Sequence, residues 1–553
     1  MTDMTNIKKK IIYAWAVLFT VFASMVISCT DLSKEHYSVS PDVAGRVNLW
    51  ELISQQPDLS IFAGLLKSAS YDVLLSGDQT FTVWAPVNEA LAGINAGDSV
   101  TVMRLITNHI ARYAYSASSG VNNSPPIYMM SAKKMLFTGS GDTYYIDGIE
   151  LTQKNLAATN GILHTVRQKI DFVPNIWQFM ESADYDSIRS YMYSFNTRQF
   201  IRSASKQVDY NEFGEIVYDS VFLAQNTLWY VYPGAKGVGW LNNEDSLYTM
   251  IIPGNKAWMD VYNRTFDFFK PDPSINNPDS TQVANTKYSI VQDLVFRGQI
   301  NPNGYGGTDT LFSTRGAPML DPVRLFSGSS PVALSNGRVY PASRLNYNLN
   351  ESCIKPVKVE AEWSNGRWQS AAQDFSTIRA VRVSDIDSVS GNGYLEVLPS
   401  SSGANPSVSF ELPDVLAARY EIHCVCVAQS YVETIKDTTQ YLTRLQFEIQ
   451  QWNKLTDKSL SASWTKIQSF SDQTTDQYVT RPIGISDILV TSDFLFPFAN
   501  FHETDNVFRL KVTSAPSSAD LRDPAFNKEI RIDYILLESS SSNETNTIKN
   551  KNR

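Results

Sequence analysis

One stretch of this chain occurs twice, and it limits the possible fold more than any other feature. From Phe81 it reads Phe-Thr-Val-Trp-Ala-Pro-Val-Asn-Glu-Ala-Leu, and from Tyr248 it reads Tyr-Thr-Met-Ile-Ile-Pro-Gly-Asn-Lys-Ala-Trp. Each is an apolar, β-rich run, the pattern of a strand buried on both faces. Each stops at a proline, which cannot donate to a sheet ladder. Asn88 and Asn255 follow two residues after Pro86 and Pro253. An asparagine there is placed to cap the helix it begins, because its side-chain oxygen accepts from the free N–H groups of a first turn. A strand that turns into a helix is therefore expected at both places.

Further matches fall in the same order around the two copies. Asn48-Leu-Trp-Glu-Leu-Ile53 is answered by Asn175-Ile-Trp-Gln-Phe-Met180, each reading as a capped, apolar-striped helix. Downstream, Asn160-Gly-Ile-Leu-His164 is answered by Asn336-Gly-Arg-Val-Tyr340, a tight turn before a closing strand. The offsets are 127, 167 and 176 positions, so the second copy carries insertions, the largest of them 40 residues between first helix and core strand. These residues resemble the fasciclin (FAS1) family. Its first motif resembles Thr82-Val-Trp-Ala-Pro-Val-Asn-Glu-Ala-Leu91, and its second resembles Asn160-Gly-Ile-Leu-His-Thr-Val166 followed by Pro174. His109 stands where the family has a histidine that orders the core. In the second copy Asp293 is read at that position and Tyr340 at that of His164, which makes it a divergent copy. The resemblance spans roughly residues 44–355. It implies a mixed α/β wedge on a β-sandwich, used for adhesion or ligand binding and not for catalysis.

The first 43 residues read as an address. Lys8, Lys9 and Lys10 precede an apolar run, Ile11 to Ile27, that closes in Val26-Ile-Ser-Cys29. This resembles a bacterial lipoprotein signal, with residues 1–28 removed and Cys29 lipidated. Residues 29–43 are a polar tether whose Asp31 and Glu35 resemble the surface-export signal of Bacteroidetes-type lipoproteins. The expected location is the outer membrane, lipid-anchored, at the cell surface. A net charge of −9 argues against nucleic acid as a partner, since phosphate binding needs a basic footprint.

Inside the second copy, an insertion at about 195–245 holds two alternating runs around Asn211-Glu-Phe-Gly214, a predicted hairpin. It then sets Trp229, Tyr232 and Trp240 around a glycine-rich loop. Such rings either stack on sugar C–H faces or fill an enlarged core. Three cysteines follow Cys29. Cys424 and Cys426 share one face of an alternating strand while His423 points to the other. Buried thiols fit that pattern better than a zinc site, which calls for Cys-x-x-Cys spacing, and a bridge from Cys353 to either stays open.

From Val357 only short alternating strands with Gly, Asn and Pro turns remain, the texture of a β-sandwich or jelly roll. Val357-Lys-Val-Glu-Ala-Glu-Trp363 at its start and Arg531-Ile-Asp-Tyr-Ile-Leu-Leu537 at its end are similar to carbohydrate-binding modules of the galactose-binding jelly-roll type. That resemblance implies a structural Ca²⁺ held by Glu360, Glu362 and Asp533, a hard-oxygen set suited to the ion. Trp363 and Trp368 are placed to stack on sugar or to sit in the core. No His-Glu-x-x-His or Gly-x-Ser-x-Gly pattern accompanies the five histidines, and no catalytic residue is assigned. The expected architecture is multidomain: α+β fasciclin-like domains at 44–173 and 174–356, an all-β jelly-roll sandwich at 357–538, and a disordered tail at 539–553. The expected work is non-catalytic binding of glycan, as an accessory of a polysaccharide-uptake system, or else of an envelope protein.

Overall fold

In the computed structural model, Phe81–Pro86 and Gly161–Val166 are parallel neighbours with every residue buried. Apolar surface lies on both sides of them. Phe81, Val83 and Ala85 face a core built with the helices Leu49–Ser54, Ser60–Ser68 and Ser99–Asn108. Trp84 and Val166 face a second core with Val121, Phe137 and Ile146. This is why the strand reads as an unbroken apolar run. The structure describes residues 45–540 except 119, 211–215, 220, 233–234, 369–375, 384–387, 430–440, 454–462, 468–477 and 503–505. The leader, Cys29, the tether and nearly all of the predicted tail lie outside the described residues. Among those described, no helix is long and apolar enough to cross a membrane.

The chain forms two compact units. The first runs through Asn175 and takes in Asn243–Asp245 and Leu334–Asn336; the second holds Ile176–Asn242, Ser246–Ala333 and Gly337 onward. In the first, a six-stranded sheet is ordered Ile110–Arg112, Phe81–Pro86, Gly161–Val166, Ile149–Ala158, Thr143–Ile146, Phe137–Ser140, antiparallel except for its central parallel pair.

The second unit repeats this pairing. Tyr248–Pro253 lies antiparallel to Val295–Arg297 and parallel to Gly337–Ala342. Equivalent residues make equivalent bonds: Thr82 Oγ1 donates to Tyr113 O and Thr249 Oγ1 to Gly298 O, each at 2.8 Å. A Cβ on Gly161 would lie 1.9 Å from Phe81 O, and one on Gly337 would lie 1.9 Å from Tyr248 O, so only glycine lets these strands approach.

Two expectations are corrected by these registers. Trp84 N donates to His109 O and Ile251 N to Leu294 O, so Leu294 is the residue opposite His109, and Asp293 answers Asn108. The two then behave alike, accepting from Ser131 Oγ at 2.9 Å and from Ser313 Oγ at 2.8 Å. Tyr340 does stand at the position of His164, paired with Ile251 as His164 is with Trp84. Asn88 and Asn255 begin helical segments, as read from the sequence, but their side chains serve earlier ones. Asn88 Oδ1 accepts from Ile61 N and Asn255 Oδ1 from Ser187 N, both at 2.9 Å, in the first turns of Ser60–Ser68 and Asp186–Tyr193. Their amides donate to Pro57 O and Ala183 O at 3.0 and 2.9 Å. Each asparagine thus ties the strand's exit to a neighbouring helix.

The inserted hairpin is present as Lys206–Tyr210 against Ile216–Asp219, its turn lying outside the described residues. From Val357 onward the strands form two antiparallel sheets. One is ordered Ser376–Arg382, Gly393–Pro399, Ile530–Ser539, Arg419–Val427, Ile485–Leu495; the other Arg367–Trp368, Ser407–Leu412, Asn506–Ser514, Leu445–Asn453, Thr465–Lys466. Their buried faces meet through Tyr420, Phe496 and Phe508, with ring centroids 5.5 and 4.9 Å apart. Backbone bonds join these sheets to the α/β part of the same unit: Ala417 N donates to Phe268 O at 2.8 Å and Ala499 N to Lys270 O at 2.7 Å.

Candidate metal centre and ligand surface

The strand Ile530–Ser539 has two partners along one edge. Val357–Glu360 pairs with it as far as Glu360 opposite Tyr534, and Gly393–Pro399 takes over at Leu395 opposite Ile532. The two partners hand over at Asp533, whose carbonyl still accepts from Ala361 N at 2.9 Å. The turn before Gly393 lies beside this hand-over, and Ser390 N donates to both Asp533 carboxylate oxygens at 3.1 and 3.2 Å. Ser390 Oγ donates to Glu360 Oε1 at 2.7 Å, and Lys358 Nζ lies 2.9 Å from the same oxygen. Glu362 reaches the same place, since a Cβ added to Gly391 would be 2.8 Å from Glu362 Oε1 and 4.0 Å from Glu360 Cδ. Gly391 also has φ +59, which a side chain would strain.

Glu360, Glu362 and Asp533, far apart in sequence, are therefore neighbours. Lys358, Ser390 and Gly391 belong to the same cluster and were not picked out from the sequence, although Ser-Gly-Asn-Gly is a readable turn signal. Glu360 Oε2 and both Glu362 oxygens are buried with no hydrogen-bond partner. Asp533 is fully buried, and that burial pushes its carboxyl up to about 7 against the Ser390 N–H, with Glu360 and Glu362 adding to the rise. Burial likewise raises Glu362. The Lys358 ammonium, with the Arg382 guanidinium acting on Glu362, is still outnumbered by three carboxylates, and buried carboxylate oxygens without partners are costly. A hard cation with several oxygen ligands would answer both, so the residues fit Ca²⁺.

The aromatic candidates divide. Trp363, next to Glu362, is 56% exposed. The backbone of Trp368 lies in a strand paired with Ser407–Leu412, and its side chain is outside the described residues. Trp229, Tyr232 and Trp240 belong to the insertion. Trp229 is 7% exposed, set edge-on to Trp177 and stacked on Trp240 with centroids 5.8 and 6.3 Å apart, while Trp240 and Tyr232 are 41% and 63% exposed. Of these three, Trp229 is a packing residue first. A cavity of 270 Å³ lies in the same unit, lined by Gln292, Arg315, Lys355, Lys358, Asp414 and His502. Lys358 thus faces both the cavity and the carboxylates.

The remaining candidates are structural groups. Cys353, Cys424 and Cys426 are all free and buried, and the Cys424 and Cys426 sulfurs lie 3.8 Å apart on one face, as the strand pattern predicts. His109 Nδ1 lies 2.7 Å from Leu105 O, and its Nε2 accepts from Ile170 N at 2.9 Å. His164 Nε2 lies 2.9 Å from Tyr115 O. Burial lowers both imidazoles to about 4, so both are neutral near pH 7.

A family model described as the Fasciclin domain matches residues 57–171. The transforming growth factor-beta-induced protein ig-h3 of Sus scrofa is 24% identical over 147 residues, 25% of this chain; the chain spans 21% of that relative's length. Among solved structures, the FAS1 domain pair of the insect cell adhesion molecule Fasciclin I shares 14% identity. It covers 53% of this chain and 98% of its own, with a TM-score of 0.20. A family 35 carbohydrate-binding module from Clostridium thermocellum shares 9% identity and covers 34% and 100%, with a TM-score of 0.17.

Proposed function

We propose that this chain is a non-catalytic, lipid-anchored outer-membrane protein that captures glycan at the cell surface with its C-terminal jelly roll. In this reading the chain has two fasciclin-like domains, the second divergent, and both act as a spacer and adhesive body ahead of the binding module. Its place is beside a polysaccharide-uptake machine. Glu360, Glu362 and Asp533 hold a structural Ca²⁺ that pins the first and last strands together. The observation that carries the proposal is Trp363: a large ring left 56% exposed on the residue after a buried carboxylate cluster. An indole so placed offers a flat apolar face to a pyranose and costs little side-chain entropy to order.

A second reading, protein–protein adhesion, is favoured by the Fasciclin model match at residues 57–171. A glycan array probed with the full chain and with Trp363→Ala separates the two. Saccharide binding that falls at least tenfold in the variant supports glycan capture. Silence of the wild-type chain across the array, in the presence of Ca²⁺, transfers the weight to adhesion.

A further inference from the structure

The face of Arg419–Val427 turned away from the two thiols carries a separate group of metal-ligating side chains. Glu421 and His423 are two residues apart and share that face. Glu538 is the register partner of Glu421 on the neighbouring strand, which brings it to the same side. One ligand atom from each of the three lies within 4.8 Å of the others. Asp487, from the strand on the opposite flank, lies 2.8 Å from His423 Nδ1. The other ring nitrogen, Nε2, is buried without a hydrogen-bond partner, with Glu421 Oε2 at 3.9 Å.

Two physical arguments point from this geometry to a cation. Like charges directly opposite on adjacent strands destabilise a sheet. Glu421 and Glu538 are so placed, and among the described residues neither has a lysine or arginine within ion-pair distance. Second, an imidazole with Nδ1 held by a carboxylate and Nε2 left bare is oriented as metal-binding histidines are, and the carboxylate makes it a better donor. One imidazole nitrogen and two carboxylates suit borderline first-row cations better than the all-oxygen set at Glu360 suits them.

We infer that Glu421, His423 and Glu538 form a second metal site, for Zn²⁺ or a similar first-row divalent cation, with Asp487 positioning the imidazole. The 4.8 Å spread exceeds the separation of about 3.3 Å between ligand atoms on a tetrahedral zinc with bonds of about 2.0 Å. Rotation of Glu538, which is exposed, and of the half-buried Glu421 closes that difference without moving the sheet. Bound there, the ion bridges two strands and relieves the repulsion between their glutamates. Three protein ligands leave a fourth position for water or for an oxygen of a docked molecule.

The test is Zn²⁺ titration of the purified full chain, with excess Ca²⁺ present to occupy the all-oxygen site. The wild type is expected to take up one equivalent that Ca²⁺ does not displace. Glu538→Gln and His423→Ala are expected to lose it, and Asp487→Asn to weaken it by about 10–100-fold. Co²⁺ loaded in place of Zn²⁺ is expected to give d–d bands without a thiolate charge-transfer band, since no cysteine lies on this face. If His423→Ala fails to fold, Glu538→Gln at its exposed position decides the matter. An isotherm that Glu538→Gln leaves unchanged overturns the proposal, as does a thiolate band or no uptake of Zn²⁺ at all.

Discussion

Three buried ionisable side chains in the first unit, His109, His164 and Lys133, tie its stability to their charge states. His109 and His164 are neutral when folded, with their pKa values lowered from 6.5 to about 4 by burial. The unfolded chain therefore takes up these protons first. The stability they leave intact is full above pH 6.5 and is lost as pH falls from 6.5 toward 4, by about 3 kcal/mol for each histidine. Urea denaturation at pH 7, 5 and 4 should show this slope, and His109→Gln, which keeps a donor and an acceptor, should reduce it by one proton. A pH-independent midpoint would argue against neutral core histidines. Lys133 is also buried, with Nζ 2.6 Å from Glu244 Oε1 and 2.9 Å from Ser335 Oγ. Lys133→Ala leaves a buried carboxylate without its cation and should cost about 3–5 kcal/mol. Adding Glu244→Gln should restore part of that loss in a double-mutant cycle; additive effects would mean the pair is not coupled. None of this was visible from Lys133 in sequence, where it is one of 47 basic residues.

At the scale of elements, the strand ending at proline was readable because its whole environment is local: apolar on both faces, then a residue that cannot extend the ladder. The partner of the asparagine that follows was not readable. Asn88 caps a turn 27 residues earlier and Asn255 one 68 residues earlier, so periodicity near either site says nothing of it. Asn88→Ala should cost about 1 kcal/mol, the usual loss of a helix cap. Gly161→Ala and Gly337→Ala should each cost more than about 1 kcal/mol, because a Cβ cannot share space with the facing carbonyl. Chemical denaturation reads all three, and a neutral Gly337→Ala would mean the second sheet can open at that pair. The shift of one residue between Asp293 and Leu294 has the same cause. Sequence spacing cannot place a strand's register, whereas the bond from Ile251 N to Leu294 O does.

The whole molecule is expected to respond to a bound cation and to the loss of its anchor. Ca²⁺ should raise the stability of the second unit by about 2.7 kcal/mol at a hundredfold excess over its Kd, and EDTA should reverse this. Glu362→Gln, lacking one charge, should abolish the response; an unchanged response would move the ion elsewhere. Protease shaving of intact cells should release the chain from the surface, and Cys29→Ala should free it from the membrane; protection in intact cells would place it on the periplasmic side. Reading residues in order was enough to find the repeated strand-proline-asparagine stretch and the shared face of Cys424 and Cys426, which follow from alternation and punctuation within one element; Glu360, Glu362 and Asp533 were reached only through the resemblance to carbohydrate-binding modules. Only the tertiary structure decided that Asp533 sits where one strand edge passes from one partner to the next, that Trp229 is packed while Trp363 is open, and that His423 faces two glutamates. Each of these depends on which residues distant in sequence become neighbours, and that is set by register and burial between elements, which no local pattern encodes.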